Sequence, residues 1–72
     1  MIEKTQYVTK VHLTPDELAK RWSVHPATLR KWRMKAWGPR FIKLGPHLVL
    51  YPLIEVENFE KERITRSTAK FG

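Results

Sequence analysis

Residues 24–37 read VHPATLRKWRMKAW, and the fold turns on how this stretch is interpreted. Pro26 supplies a backbone angle suited to a first helical position, and Leu29 and Trp32, three residues apart, form one apolar stripe. At 100° per residue the opposite face carries Ala27, Arg30, Lys31 and Met34, with Thr28 and Lys35 on its flank. One side is therefore greasy and the other cationic. Gly38-Pro39 follows, so the spacing predicts a helix ending near Trp37.

Immediately upstream, Thr14-Pro15-Asp16-Glu17 is a strong helix start, with Thr14 as N-cap and Glu17 three residues on to complete a capping box. Leu18, Ala19 and Trp22 mark the inner side of this first helix, while Lys20 and Arg21 are expected to point out. Ser23-Val24-His25 leaves room only for a tight turn, which makes the pair a helix-turn-helix, with His25 standing where an N-cap is wanted. Downstream, Phe41 to Leu44 and His47 to Tyr51 are β-prone runs around Gly45-Pro46, so a hairpin is expected. From Pro52, Leu53, Val56 and Phe59 repeat at threes and predict a third helix, its acids Glu55, Glu57, Glu60 and Glu62 looking outward. Residues 1–12 read as an arm or edge strand, 13–63 as the folded domain, and 64–72 as a flexible basic tail.

Seventy-two residues suffice for one small domain. With no cysteine there is neither a disulfide nor a thiolate metal site to support it, so packing must, and three Trp and three Phe supply the area. No apolar run approaches ~18 residues and no leader-like apolar segment opens the chain, so neither export nor membrane spanning is expected.

Net charge is +7, and its distribution is uneven. Eight of the fourteen Lys and Arg lie between Lys20 and Lys43, Arg40 among them, and no acid occurs from Leu18 to Ile54. A basic block of that length, centred on a helix with an acid-free face, is suited to an anionic partner, and duplex DNA is the commonest. His12, His25 and His47 show no metal-ligand spacing; His25 is placed to donate to a phosphate at a helix N-terminus and His47 to do so from the hairpin tip. No nucleophile is paired with a base and no glycine-rich phosphate loop is present, so the expectation is a non-enzyme without cofactor or metal.

From Leu13 to about Glu62 the chain resembles the small winged helix-turn-helix proteins related to mercury-resistance-type regulators, which include phage excisionases. The residues that carry the likeness are LTPDELAKRWSVHPATLRKW, then GPRFIKLG, then Tyr51 leading to Phe59; ATLRKW followed by IKLG is similar to the recognition helix and wing of lambda-type excisionases. The resemblance implies an α+β, mainly α fold with two N-terminal helices, a two-stranded hairpin wing and a third helix. It implies that the second helix enters the major groove and the wing reaches the minor groove or its phosphates. Ala27, Thr28, Lys31 and Met34 then face bases, Arg30 and Arg33 meet backbone or base edges, and Lys43 to His47 form the wing. Three features depart from the pattern: Ser23 stands where such turns often have Gly; Ala27 and Met34 offer no hydrogen bonds, so base reading leans on apolar contact with thymine methyls plus Arg30 and Lys31; and Leu48, Leu50 and Ile54 lie where relatives commonly carry charge.

The expected function is a DNA-binding recombination directionality factor that bends DNA near an attachment site and assists an integrase, in the cytoplasm of a bacterial host. A phage or plasmid transcriptional regulator is the alternative, and a basic adaptor for protein or RNA a more distant one. Leu48, Leu50 and Ile54 either close a small core beneath the hairpin or contact a second copy on DNA or another protein.

Overall fold

The computed structural model describes residues 11–65. Capping chemistry sets its first helix, α1 (Pro15–Trp22). The Thr14 hydroxyl accepts from the Glu17 N–H at 3.1 Å, and the Glu17 carboxylate accepts from the Thr14 N–H at 2.9 Å, which closes the expected capping box. Residues Leu18 and Ala19 on its inner side are buried.

The turn that follows solves a steric problem without glycine. Ser23 adopts the left-handed conformation (φ 57°), its N–H donates to the Lys20 carbonyl at 3.2 Å, and the Val24 N–H reaches back to Ala19 at 2.9 Å. That paired bonding satisfies the last carbonyls of α1 and turns the chain directly into α2 (Pro26–Met34).

The second helix stops three residues earlier than the Gly38-Pro39 signal suggested. Ala36 takes a left-handed turn (φ 54°), the Ala36 N–H donates to Arg33 at 3.0 Å, and the Trp37 N–H donates to Trp32 at 2.9 Å. Trp37 also sets its ring edge-on to that of Trp32, centroids 4.7 Å apart. The apolar contact that accompanies this kind of helix stop thus comes from two tryptophans, and it terminates α2 before the glycine is reached.

Three short strands complete the architecture: β1 (His12–Leu13), β2 (Ile42–Lys43) and β3 (Val49–Pro52), followed by α3 (Leu53–Glu62). They form an antiparallel sheet in the order β1-β3-β2, with Leu13 opposite Tyr51 and Ile42 opposite Leu50. Among the described residues the class is α+β, with three helices and three strands, and this corrects the two-stranded arrangement expected from the sequence. A strand heads the element order: His12–Leu13, at the boundary of the arm or edge strand expected over residues 1–12, pairs with a partner some 40 positions along the chain. Further support comes from the Leu53 N–H, which donates to the Val11 carbonyl at 2.8 Å. Most of the expected arm and tail, residues 1–10 and 66–72, lies outside the described residues.

Leu18, Ala19, Leu29, Tyr51 and Val56 form the buried core, one or two from each helix and one from the central strand. Alternation along β3 gives Val49 and Tyr51 to that core and turns Leu50 to the other side of the sheet, beside Ile42. Leu48 and Ile54 are 47% and 59% exposed, so they do not close a core beneath the hairpin.

Flanking the core is a ring of four aromatics. Trp22 lies 6.2 Å from Trp32 and 5.6 Å from Phe59, and Trp37, 45% exposed, meets both Trp32 and Phe59 edge-on. The Arg63 guanidinium covers the outside, 3.8 Å from the centre of the Phe59 ring.

Candidate nucleic-acid interface

The second helix is fastened by its apolar stripe: Leu29 is wholly buried, and Trp32 is half-buried within the aromatic ring. Turning 100° per residue from these anchors places Ala27, Arg30, Lys31 and Met34 on the open side, and all four are exposed, Met34 to 79%. Thr28 is half-buried at the edge of that face, while Lys35 and Arg40 are exposed just beyond the helix. Among the described residues the ion pairs are Arg21 with Glu60 and Arg63 with Glu62. None of the cations between Arg30 and Lys43 is neutralised by either.

His25 caps α2 through its side chain, its Nδ1 accepting from the Ala27 N–H at 3.0 Å. An accepting Nδ1 leaves the ring proton on Nε2, so this exposed imidazole can donate from the helix N-terminus. Lys43 and His47 lie on the hairpin, both exposed. The hairpin narrows to its turn through the Leu44 N–H, which donates to the Leu48 carbonyl at 2.8 Å. Between hairpin and helix runs a cleft of 550 Å³ whose walls include Arg30, Met34, Lys43, Pro46 and His47. The structure therefore brings Arg30 and Arg33 of the helix and Lys43 and His47 of the hairpin to one concavity with no acid in its lining, while Lys31, Lys35 and Arg40 are not part of it.

Arg33, expected to meet DNA backbone or base edges, is engaged within the fold. Its Nη1 donates to the Tyr51 hydroxyl at 2.9 Å, and its guanidinium carbon stands 5.9 Å from the ring centres of both Phe41 and Tyr51. Those two rings are themselves 6.0 Å apart, so the guanidinium completes a near-equilateral triangle at the floor of the cleft. Tyr51 is 1% exposed and needs a partner for its hydroxyl, and Arg33 is the donor that answers. Nothing local signals this contact, since it depends on hairpin register bringing residue 51 opposite residue 33.

A second correction concerns the face away from the cleft. Arg21 does not point freely outward, and Glu60 is not part of a merely solvated acidic face: Arg21 Nε and Nη2 donate to the Glu60 carboxylate at 2.7 and 2.9 Å. The Trp22 indole N–H donates to the same carboxylate. The Arg21 hydrogen bonds hold the Glu60 pKa down at about 2 despite the opposing effect of desolvation, with the Trp22 bond helping, and the Arg21 pKa is raised in return. The pair ties α1 to α3 and removes one of the expected outward cations.

Leu48 and Ile54 remain exposed and Leu50 half-buried, away from the cleft lining. Among the described residues no helix is long and apolar enough to cross a membrane, and no three His, Cys, Asp or Glu side chains gather as a metal site would require. Comparison with known proteins finds no family, no curated protein and no solved structure that matches this chain.

Proposed function

We propose that the chain is a sequence-specific duplex-DNA-binding domain of winged helix-turn-helix layout, with α2 as the recognition helix and the β2–β3 hairpin as the wing. One observation carries the reading: Leu29 and Trp32 anchor α2 to the core while Arg30 and Lys31 stand exposed on the other side, unpaired with any acid among the described residues. A rod fixed on one face and cationic on the other can enter a major groove without first breaking internal ion pairs. Base reading would then rest on Lys31 for hydrogen bonds, and on Ala27, Thr28 and Met34 for apolar contact with thymine methyls. His25, Arg30, Lys35, Arg40, Lys43 and His47 would meet phosphates.

Within that function we place the chain as an excisionase-type directionality factor that bends DNA beside an attachment site. This finer assignment rests on the resemblance of residues 13–62 and on the exposed Leu48 and Ile54, which offer a second copy on adjacent DNA a surface that the core does not use. Footprinting on the DNA flanking the protein's own gene tests it. A protected array next to an integrase attachment site supports the assignment, whereas a single site over a promoter makes the chain a transcriptional regulator. Equal displacement of bound duplex by RNA and by DNA of any sequence would overturn duplex recognition altogether.

A further inference from the structure

The cleft between α2 and the hairpin has cations on both walls and an arginine at its floor that is already engaged. Arg30 projects from the helix wall, and Lys43 and His47 from the hairpin wall. Arg33 lines the same space, yet its guanidinium is committed to the Tyr51 hydroxyl and lies against the Phe41 and Tyr51 rings. We propose that this cleft seats one sugar–phosphate strand of the duplex between Arg30 and the pair Lys43 and His47, with Arg33 as a positioning residue that touches no DNA and sets the distance between the two walls through Tyr51. The inference rests on the duplex-DNA reading given above.

The physical argument is one of division of labour among like charges. A cation that contacts phosphate must leave its water for the partner, and an exposed side chain with no internal bond is free to do so. Arg30, Lys43 and His47 are exposed and no hydrogen bond to a described residue holds them. For Arg33 the same move would break a 2.9 Å bond and strand a hydroxyl on a tyrosine that is almost wholly buried. The bond also joins elements 18 residues apart, the recognition helix and the central strand, which are the two elements whose spacing defines the cleft. Arg33 therefore acts on DNA through geometry, Arg30 and Lys43 through charge, and His47 as a hydrogen-bond donor.

The salt dependence of binding separates these roles, because each phosphate contacted contributes about 0.9 to the slope of log affinity against log salt concentration. The probe is a mixed-sequence duplex, titrated by fluorescence anisotropy across a range of potassium chloride concentrations. Arg30→Gln and Lys43→Gln are each expected to flatten the slope by about 0.9. Arg33→Met and the charge-conserving Arg33→Lys are expected to weaken binding about tenfold at every salt concentration while keeping the wild-type slope. Tyr51→Phe, which removes the hydroxyl and so leaves no buried group unpaired, is expected to weaken binding in the same way. Circular dichroism on each variant confirms that it is folded.

A slope that falls by about one unit in Arg33→Met, with binding retained in Arg33→Lys, would make Arg33 a phosphate contact and overturn the positioning role. Wild-type affinity in both Arg33→Lys and Tyr51→Phe would overturn it equally. Unchanged slopes in both Arg30→Gln and Lys43→Gln would empty the cleft of backbone while leaving duplex binding intact. Failure of the wild-type protein to bind the duplex even at low salt would instead remove the functional reading on which the inference stands.

Discussion

Arg21 and Glu60, 39 residues apart in the chain, meet through two hydrogen bonds of 2.7 and 2.9 Å, and the Trp22 indole N–H donates to the same carboxylate. One carboxylate thus receives three donors and ties the end of α1 to the last turns of α3. Because Glu60 titrates at about 2 when folded against an ordinary 4.5, the folded state holds this group's proton less tightly than the unfolded chain does. Its contribution to stability is therefore complete above pH 4.5 and is lost as pH falls through about 2. Wild-type melting temperature should fall across that interval, and Glu60→Gln should flatten that part of the profile. At neutral pH the same variant should cost about 1 kcal/mol, since both side chains are partly solvated and screening reduces what the pKa alone would suggest.

Two residues other than glycine sit in left-handed backbone, Ser23 at φ 57° and Ala36 at φ 54°. A side chain there costs roughly 1 kcal/mol, which glycine avoids at the expense of a more flexible unfolded chain. Ala36→Gly and Ser23→Gly are each expected to raise stability by about 0.5 kcal/mol in urea titrations. A loss in either would mean that the methyl or hydroxyl makes a contact worth more than the strain.

Leu29 is wholly buried and is the one residue of α2 within the buried core cluster. Leu29→Ala should destabilise the domain by about 3 kcal/mol. Lys31→Gln, one position around the helix from Arg30 and exposed, should leave the melting temperature within a degree or two yet lower affinity for the recognised duplex while keeping the salt slope, as loss of a base contact would. Paired measurements of melting and binding would separate the anchoring face from the reading face.

Removal of the Arg33 donor and removal of the Tyr51 acceptor should have unequal costs. Arg33→Met leaves a hydroxyl unpaired on a residue that is 1% exposed, which should cost about 2 kcal/mol. Tyr51→Phe deletes the group in need of a partner and should cost under about 1 kcal/mol. Denaturant midpoints for the two variants and their double mutant give the coupling directly.

Leu48 and Ile54 are exposed without contributing to the core, so Leu48→Asp and Ile54→Asp should leave the isolated domain folded. If a second copy docks there on DNA, each substitution should abolish cooperativity across adjacent sites while single-site affinity is kept. Undiminished cooperativity in both would leave these two side chains without a partner copy.

Much of this architecture was legible in local chemistry. The capping box at Thr14 and Glu17, the proline that opens α2 and the stripe of Leu29 and Trp32 each act over three or four residues, so sequence spacing is enough to place two helices and the cationic outer face of the second. What spacing could not reveal was every contact made across the fold. The third strand exists because Leu13 finds Tyr51, Arg21 is turned aside by Glu60, and Arg33 is drawn to the floor of the cleft by a hydroxyl that has no other donor. The end of α2 was missed for a local reason, since Trp37 folds its ring against Trp32 ahead of the glycine that signals a stop. Helix starts depend on neighbours in sequence, and chain order states those neighbours outright. The destination of a long charged side chain depends on which buried polar group lacks a partner, and only the packed structure determines that.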